Sequence, residues 1–313
     1  MRTLLVLASL VALNAWAEYP EKPVKIIVPF PAGSGTDVVA RATGAALAKR
    51  MGVSVTVENM PGADGAVGTV AVAKAKPDGY TLLATSSPFT VTPYLAKTAP
   101  YDPVRDFVAV AQIAVIPMVL VTSEKSRFKS FDDLVAEMRQ SPGKLRYATA
   151  GRGSLSHLEI ALLNRRLKVQ AQEQAFKSGE EALTAIAGGK ADFFLANLPM
   201  ALAALNKGSL RALAVSSNTR APNMPGVPTL AEVTRRPAYE SNVWFGIVAP
   251  AGTYFEILTR LEDEIGIELQ QPAVSARIEA VGGRVAFLRS AGLGGQIGYE
   301  YRKWGEVAKT PQP

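Results

Sequence analysis

Val24-Lys25-Ile26-Ile27-Val28-Pro29-Phe30-Pro31-Ala32-Gly33-Ser34-Gly35-Thr36-Asp37 reads as a buried strand, a turn rich in proline and glycine, and the start of a helix. The helix is expected from Asp37 to about Met51, with Gly52 as its stop. Val53–Val57 follows as a second strand, the loop Glu58–Gly65 leads into a helix rich in Ala and Val, and Tyr80–Ala84 makes a third strand. Strands alternating with helices predict a mostly parallel sheet covered on both faces. The rhythm then returns: strand Leu145–Thr149, turn Ala150–Gly153, helix from about Leu155 to Leu167, a strand leading to Phe176, a helix opened by Ser178 and stopped at Gly188-Gly189, and strands Ala191–Ala196 and Leu210–Ser216. Two such blocks imply two α/β domains. Ile113–Thr122 and Val243–Ala249 are apolar runs of strand length placed to link them. Beyond Pro250 the pattern is mainly helical, through Leu258–Leu269 and a last helix near Tyr299–Ala308; Gly292, Gly294, Gly295 and Gly298 weaken any helix before it.

The 313 residues contain no cysteine, which removes disulfides, thiolate metal sites and thiol nucleophiles together. One histidine, His157, makes a zinc site or a Ser/His/Asp centre hard to assemble. A hydrophobic content of 48% against 19% charged residues supplies material for two cores and excludes disorder. The net charge of +7 is spread in pairs such as Lys49-Arg50, Arg165-Arg166 and Arg235-Arg236 rather than in tracts. It reads as a mild bias toward anionic ligands, not as a nucleic-acid footprint. At the N-terminus, Arg2, an apolar run Leu4–Leu13 and Ala15-Trp16-Ala17 have the form of a secretory leader over residues 1–17, with cleavage expected before Glu18. The run is shorter than the roughly 20 residues a spanning helix needs.

The informative chemistry lies at two helix starts, where unpaired N–H groups and a partial positive charge can hold an anion. Gly33 and Gly35 let a ligand approach the backbone while Ser34 and Thr36 add hydroxyls; Gly151 and Gly153 do the same ahead of Ser154 and Ser156. Ser156-His157-Leu158-Glu159 fits a capping box that would start the second helix. Either turn alone is also what any α/β protein carries. A dinucleotide fingerprint fails because Val38 stands where its third glycine belongs, and no Gly-Lys-Ser/Thr follows either turn. His157 has no nucleophile elbow to serve, and Ser141-Pro142-Gly143-Lys144 cannot form the helix that S-x-x-K needs. A carboxylate spanning both helix starts would gain three or four charge-assisted hydrogen bonds, about 5–12 kcal/mol before ordering costs. Micromolar binding needs about 8 kcal/mol, so no metal or cofactor is required.

Tyr19-Pro20-x-Lys22-Pro23-Val24, the Val28–Asp37 stretch, Glu58-Asn59-x-Pro61-Gly62-Ala63, Pro77-Asp78-Gly79-Tyr80-Thr81-Leu82, Tyr101-Asp102-Pro103-Val104-x-Asp106-Phe107, Ser156-His157-Leu158, Asn197-Leu198-Pro199 and Trp244-Phe245-Gly246 occur in this order along the chain. So ordered, the chain resembles the substrate-binding proteins of tripartite tricarboxylate transporters, the Bug or TctC family. The resemblance implies an α/β fold of the type II periplasmic binding protein kind: two lobes joined by two crossover strands, with a ligand cleft between them. Residues 18–120 and 241–313 would form lobe I and residues 121–240 lobe II. It implies a periplasmic, monomeric, non-enzymatic receptor that passes a small carboxylate to membrane transporter subunits. Carried over by position, the ligand contacts are Ala32, Gly33, Ser34, Thr36 and Asp37 from one lobe, with Ser86 and Ser87 as lesser candidates. Gly153, Ser154, Ser156 and His157 face them from the other.

Three departures from the family's pattern bear on the ligand. Phe176-Lys177-Ser178 stands for Tyr-Lys-Gly, Ala196 for an Asp, and Met60 for an Arg. Losing the Tyr and the Asp implies a less polar wall on lobe II and hence an aromatic or otherwise apolar carboxylate. Two rivals remain at this level: a sensory adaptor of the same fold serving a sensor kinase, and a secreted hydrolase using the same cleft.

Overall fold

A computed structural model describes residues 19–96, 99–151, 154–221, 224–236 and 241–309 of the chain. The leader, its cleavage point before Glu18, and Gly153 lie outside these residues. The first block runs β1 (Val24–Val28), α1 (Gly35–Met51), β2 (Val55–Asn59), a single helical turn at Ala63–Gly65, α2 (Ala66–Ala73), β3 (Thr81–Ser86) and α3 (Pro88–Leu95). A long strand, β4 (Phe107–Ser123), leaves it. The second block comprises α4 (Phe131–Gln140), β5 (Arg146–Thr149), α5 (Leu155–Leu167), β6 (Gln172–Ala175), α6 (Gly179–Ala187), β7 (Phe193–Asn197), α7 (Leu198–Asn206), β8 (Leu210–Val215) and α8 (Leu230–Thr234). The chain returns on β9 (Asn242–Pro250) and ends with α9 (Phe255–Glu268), α10 (Pro272–Ala280), β10 (Arg284–Arg289) and α11 (Ser290–Lys309).

The strands follow the order β2-β1-β3-β9-β4-β7-β5-β6, with β10 and β8 also paired to β4. The β1–β2 and β1–β3 pairs are parallel, as are β5–β6 and β5–β7; every pairing to β4 or β9 is antiparallel. β4 carries the architecture. From Phe107 to Pro117 it lies beside β9, and from Met118 onward it lies between β7 and β8. A strand that is central in both halves is buried on both faces, which explains its almost unbroken apolar sequence. The fold is therefore two lobes joined by two crossover strands.

Each half of the sheet has a core on either face. In the first, Ile26, Leu47, Leu82, Leu261 and Ile278 pack on one side and Leu83, Phe89, Trp244 and Leu293 on the other. In the second, Phe131, Leu134, Met138 and Phe193 pack opposite Ile186, Phe194, Leu198 and Ala201. A smaller cluster of Val91, Leu158, Leu162, Trp304 and Val307 ties α3 and α11 to α5 across the halves.

The sequence reading is off in several places. β2 sits two residues later than expected, at Val55–Asn59, and β10 falls within a stretch read as helical. α11 starts at Ser290 rather than near Tyr299, so the four glycines are helical. Tertiary contact overrides propensity there. Ser290 Oγ bonds the Ala109 carbonyl at 2.8 Å and Leu293 is fully buried, so the helix is held on the sheet despite its glycines.

Candidate functional site

The turn after β1 is held from beneath by Asp37. Gly33 adopts φ +81°, a conformation suited to glycine, and donates its N–H to Asp37 Oδ2 at 2.9 Å. Arg41 Nε donates to the same oxygen at 3.0 Å, and Asn59 Nδ2 donates to Asp37 Oδ1 at 2.8 Å and to the Phe30 carbonyl at 3.1 Å. Burial pushes the Asp37 carboxyl up, but the bonds from Arg41, Gly33 and Asn59 outweigh it and hold the group below the usual carboxylate range. Asp37 thus belongs to the loop's foundation.

Ser34 caps α1. Its Oγ accepts the Asp37 N–H at 3.3 Å and its carbonyl accepts the Val38 N–H at 2.9 Å. Of the first four helical N–H groups, those of Gly35 and Thr36 are left for a guest. Thr36 Oγ1 donates to Ser86 Oγ at 3.2 Å, and both side chains are buried. This chain of hydroxyls leaves the Ser86 proton, like that of Ser34, available to an acceptor.

These groups open onto a cavity of about 460 Å³ between the lobes. Gly33, Ser34, Gly35, Thr36 and Ser86 form its polar wall. Ile116, Val243 and Phe245 of the crossover strands form its floor, and Phe30, Pro31, Pro88 and Val281 lie at its rim. The far wall is the start of α7: Asn197, Pro199 and Met200. Asn197 stands at the N-cap position without capping its own helix. No Lys or Arg lines this cavity among the described residues. One end thus offers amide and hydroxyl donors under a helix dipole, and the rest is apolar apart from Asn197.

The opposing helix start differs from the one expected. Ser154 lines a neighbouring cavity, also of about 460 Å³, with Ala150, Leu155, Ser87 and the Pro61–Gly65 turn; the two cavities share Phe30, Pro31 and Pro88. Ser154, not Ser156, caps α5, accepting the His157 N–H at 3.4 Å, so the capping-box reading is corrected. Ser156 Oγ turns back to accept the Ala150 N–H at 3.3 Å. His157 is buried, its Nε2 3.7 Å from Glu173 Oε2, and lines neither cavity. Ser87 Oγ receives the Trp244 N–H at 3.1 Å and so ties α3 to the crossover strand. Ala32 is exposed and lines neither cavity.

The departures also act differently from the expectation. Ala196 is buried in the β7 core beside Phe194 and Leu198, Phe176 packs against that same core, and Met60 packs within lobe I, so none of the three forms the apolar wall. That wall comes from Pro199, Met200 and the two crossover strands. The signal for it was in the sequence: Asn197-Leu198-Pro199 has Pro in the first turn of a helix, a start as marked as the two glycine-rich turns.

Residues 39–310 match the model of the tripartite tricarboxylate transporter family receptor. The chain belongs to this receptor family. It is similar to the protein BugT of Bordetella pertussis, 36% identical over 293 residues that span 93% of this chain and 90% of the other. Among solved structures it is similar to a TctC solute-binding protein from Polaromonas, determined without ligand (TM-score 0.83, 25% identity, covering 92% of this chain and 98% of that one). An R. palustris protein solved with adipate is also similar (TM-score 0.73, 30% identity, covering 93% and 98%). The family is one of periplasmic solute-binding receptors whose structurally similar members bind small carboxylates. Among the described residues of this receptor, no helix is long and apolar enough to cross a membrane, and no group of three or more His, Asp or Glu is placed to hold a metal.

Proposed function

We propose that this receptor captures a small carboxylate with an apolar or aromatic tail and passes it to the membrane subunits of a tripartite tricarboxylate-type transporter, without covalent chemistry. The carboxylate lies on the α1 N-terminus, taking the N–H groups of Gly35 and Thr36 and the hydroxyls of Ser34 and Ser86. The tail lies along Ile116, Phe245 and Met200. The observation that carries the reading is the asymmetry of the cavity: a cluster of anion-holding donors at one wall and, apart from Asn197 at the far end, apolar side chains elsewhere. Four charge-assisted bonds supply about 6–12 kcal/mol gross. Burying a tail of some 150 Å² adds about 4 kcal/mol. Against ordering costs of several kcal/mol, the sum allows micromolar binding, near 8 kcal/mol.

The chain divides as 18–120 with 241–313 against 121–240, a division supported by the change of partners in β4 at Pro117–Met118. A ligand touching α1 and α7 together stabilises the closed arrangement, so release to the transporter follows reopening about β4 and β9. The receptor acts as a monomer in the periplasm after loss of residues 1–17. Differential scanning fluorimetry of the mature chain with benzoate, phenylacetate, hexanoate, malate and glutamate tests the function. Monocarboxylates with apolar tails are expected to raise the melting temperature most. A response confined to malate or glutamate, or abolished for none of the acids by Ser34→Ala with Ser86→Ala, overturns it.

A further inference from the structure

Gly179 is the first residue of α6, is buried, and does not sit in the left-handed region, so its backbone conformation does not call for glycine. Space does. A Cβ built there would stand 2.7 Å from Met200 Sδ and 2.9 Å from Met200 Cε. The end of the Met200 side chain is therefore seated in the notch that the missing Cβ leaves, while Met200 also lines the ligand cavity. Behind Met200 the core around Ile186, Phe194 and Ala201 is close-packed. Met200 is half-buried, and the cavity it lines offers room for a displaced thioether. Methionine is unbranched and polarisable, suited to a wall that yields to guests of different shape.

We infer that Gly179 and Met200 together set how long or bulky a ligand tail the receptor accepts: the notch at Gly179 parks the thioether and keeps the lobe II end of the cavity open. This rests on the carboxylate-with-tail reading above and adds the residues that select among such acids. Gly179→Ala pushes the thioether into the cavity and shortens it, Met200→Ala lengthens it, and the double variant has no thioether left to displace. Ala at the first position of a helix is well tolerated, so Gly179→Ala is expected to fold.

The test is isothermal titration of each variant with the straight-chain acids butanoate, hexanoate and octanoate. Gly179→Ala is expected to weaken octanoate at least ten-fold while leaving butanoate within about two-fold. Met200→Ala should move the preference toward octanoate, and the double variant should regain octanoate binding. Equal weakening of all three acids by Gly179→Ala, or failure of the double variant to recover octanoate, overturns the inference and leaves the carboxylate reading standing. No binding of any acid by the wild-type chain overturns both.

Discussion

Asp37 shows how one buried carboxylate can shape a turn at the edge of a cavity. Its carboxylate collects Gly33, Arg41 and Asn59, and through them shapes the turn that presents Gly35 and Thr36. Asp37→Ala is expected to cost about 1–3 kcal/mol in urea unfolding, the range for leaving buried donors unpaired, and to weaken carboxylates at least ten-fold. Because the folded Asp37 sits below its ordinary range, its contribution is present above that range and fades as pH falls through the lowered value. The wild-type chain should therefore lose stability below about pH 4 more steeply than Asp37→Ala does, measured by urea melts across that interval. Ser34→Ala removes a cap and a ligand donor together. It should cost about 1 kcal/mol of stability, and affinity in addition.

At the scale of elements, α11 is the structural strut. It packs on β4 and α3 in one half and reaches α5 in the other, where Lys303 Nζ lies 3.0 Å from Glu159 Oε1 with side chains 12% and 2% exposed. Removing one partner of so buried a pair strands the other. Lys303→Met is expected to destabilise by about 3 kcal/mol or more, with Glu159→Gln added to it restoring part of the loss in denaturant melts. One turn earlier, Glu300 accepts bonds from Trp244 Nε1 at 2.9 Å and Thr90 Oγ1 at 3.1 Å. Desolvation raises its carboxyl above the ordinary range in spite of Lys303 and these donors. A raised carboxyl contributes most when protonated, and that contribution is lost as pH rises through the folded value. Melting temperatures should accordingly gain as the pH is lowered toward the ordinary glutamate range, and Glu300→Gln should remove that gain while keeping the Trp244 and Thr90 bonds.

Across the whole molecule, one close contact between lobes lies beside the cavity. Gly282, at φ +73° in the turn between α10 and β10, lies so close under the Pro199 ring of α7 that no Cβ fits. Val281 and Pro199 are also cavity residues, so this contact closes one edge of the ligand site. Gly282→Ala is expected to wedge the lobes apart, lowering carboxylate affinity ten-fold or more. Small-angle scattering should then show no contraction on adding phenylacetate, where the wild-type chain contracts.

Local pattern carried much of this. The strand-turn-helix rhythm from Val24 to Asp37 and again from Leu145 placed two α/β blocks, and the apolar runs at Ile113–Thr122 and Val243–Ala249 marked the crossovers, because burial on both faces leaves no alternation to hide. The α1 turn was legible as a candidate site because glycines, hydroxyls and helix onset are neighbours in sequence. What local pattern left undecided was which helix start faces it. Several look alike along the chain, and only the packing of lobe II against lobe I put the α7 start in the cavity of Gly33–Thr36 and the α5 start in the neighbouring cavity with Pro29–Pro31. The glycine-rich beginning of α11 and the notch at Gly179 belong to the same class. Ser290 answers to Ala109 and Gly179 to Met200, partners more than 20 residues away in sequence, and contact between distant segments is a property of the assembled fold.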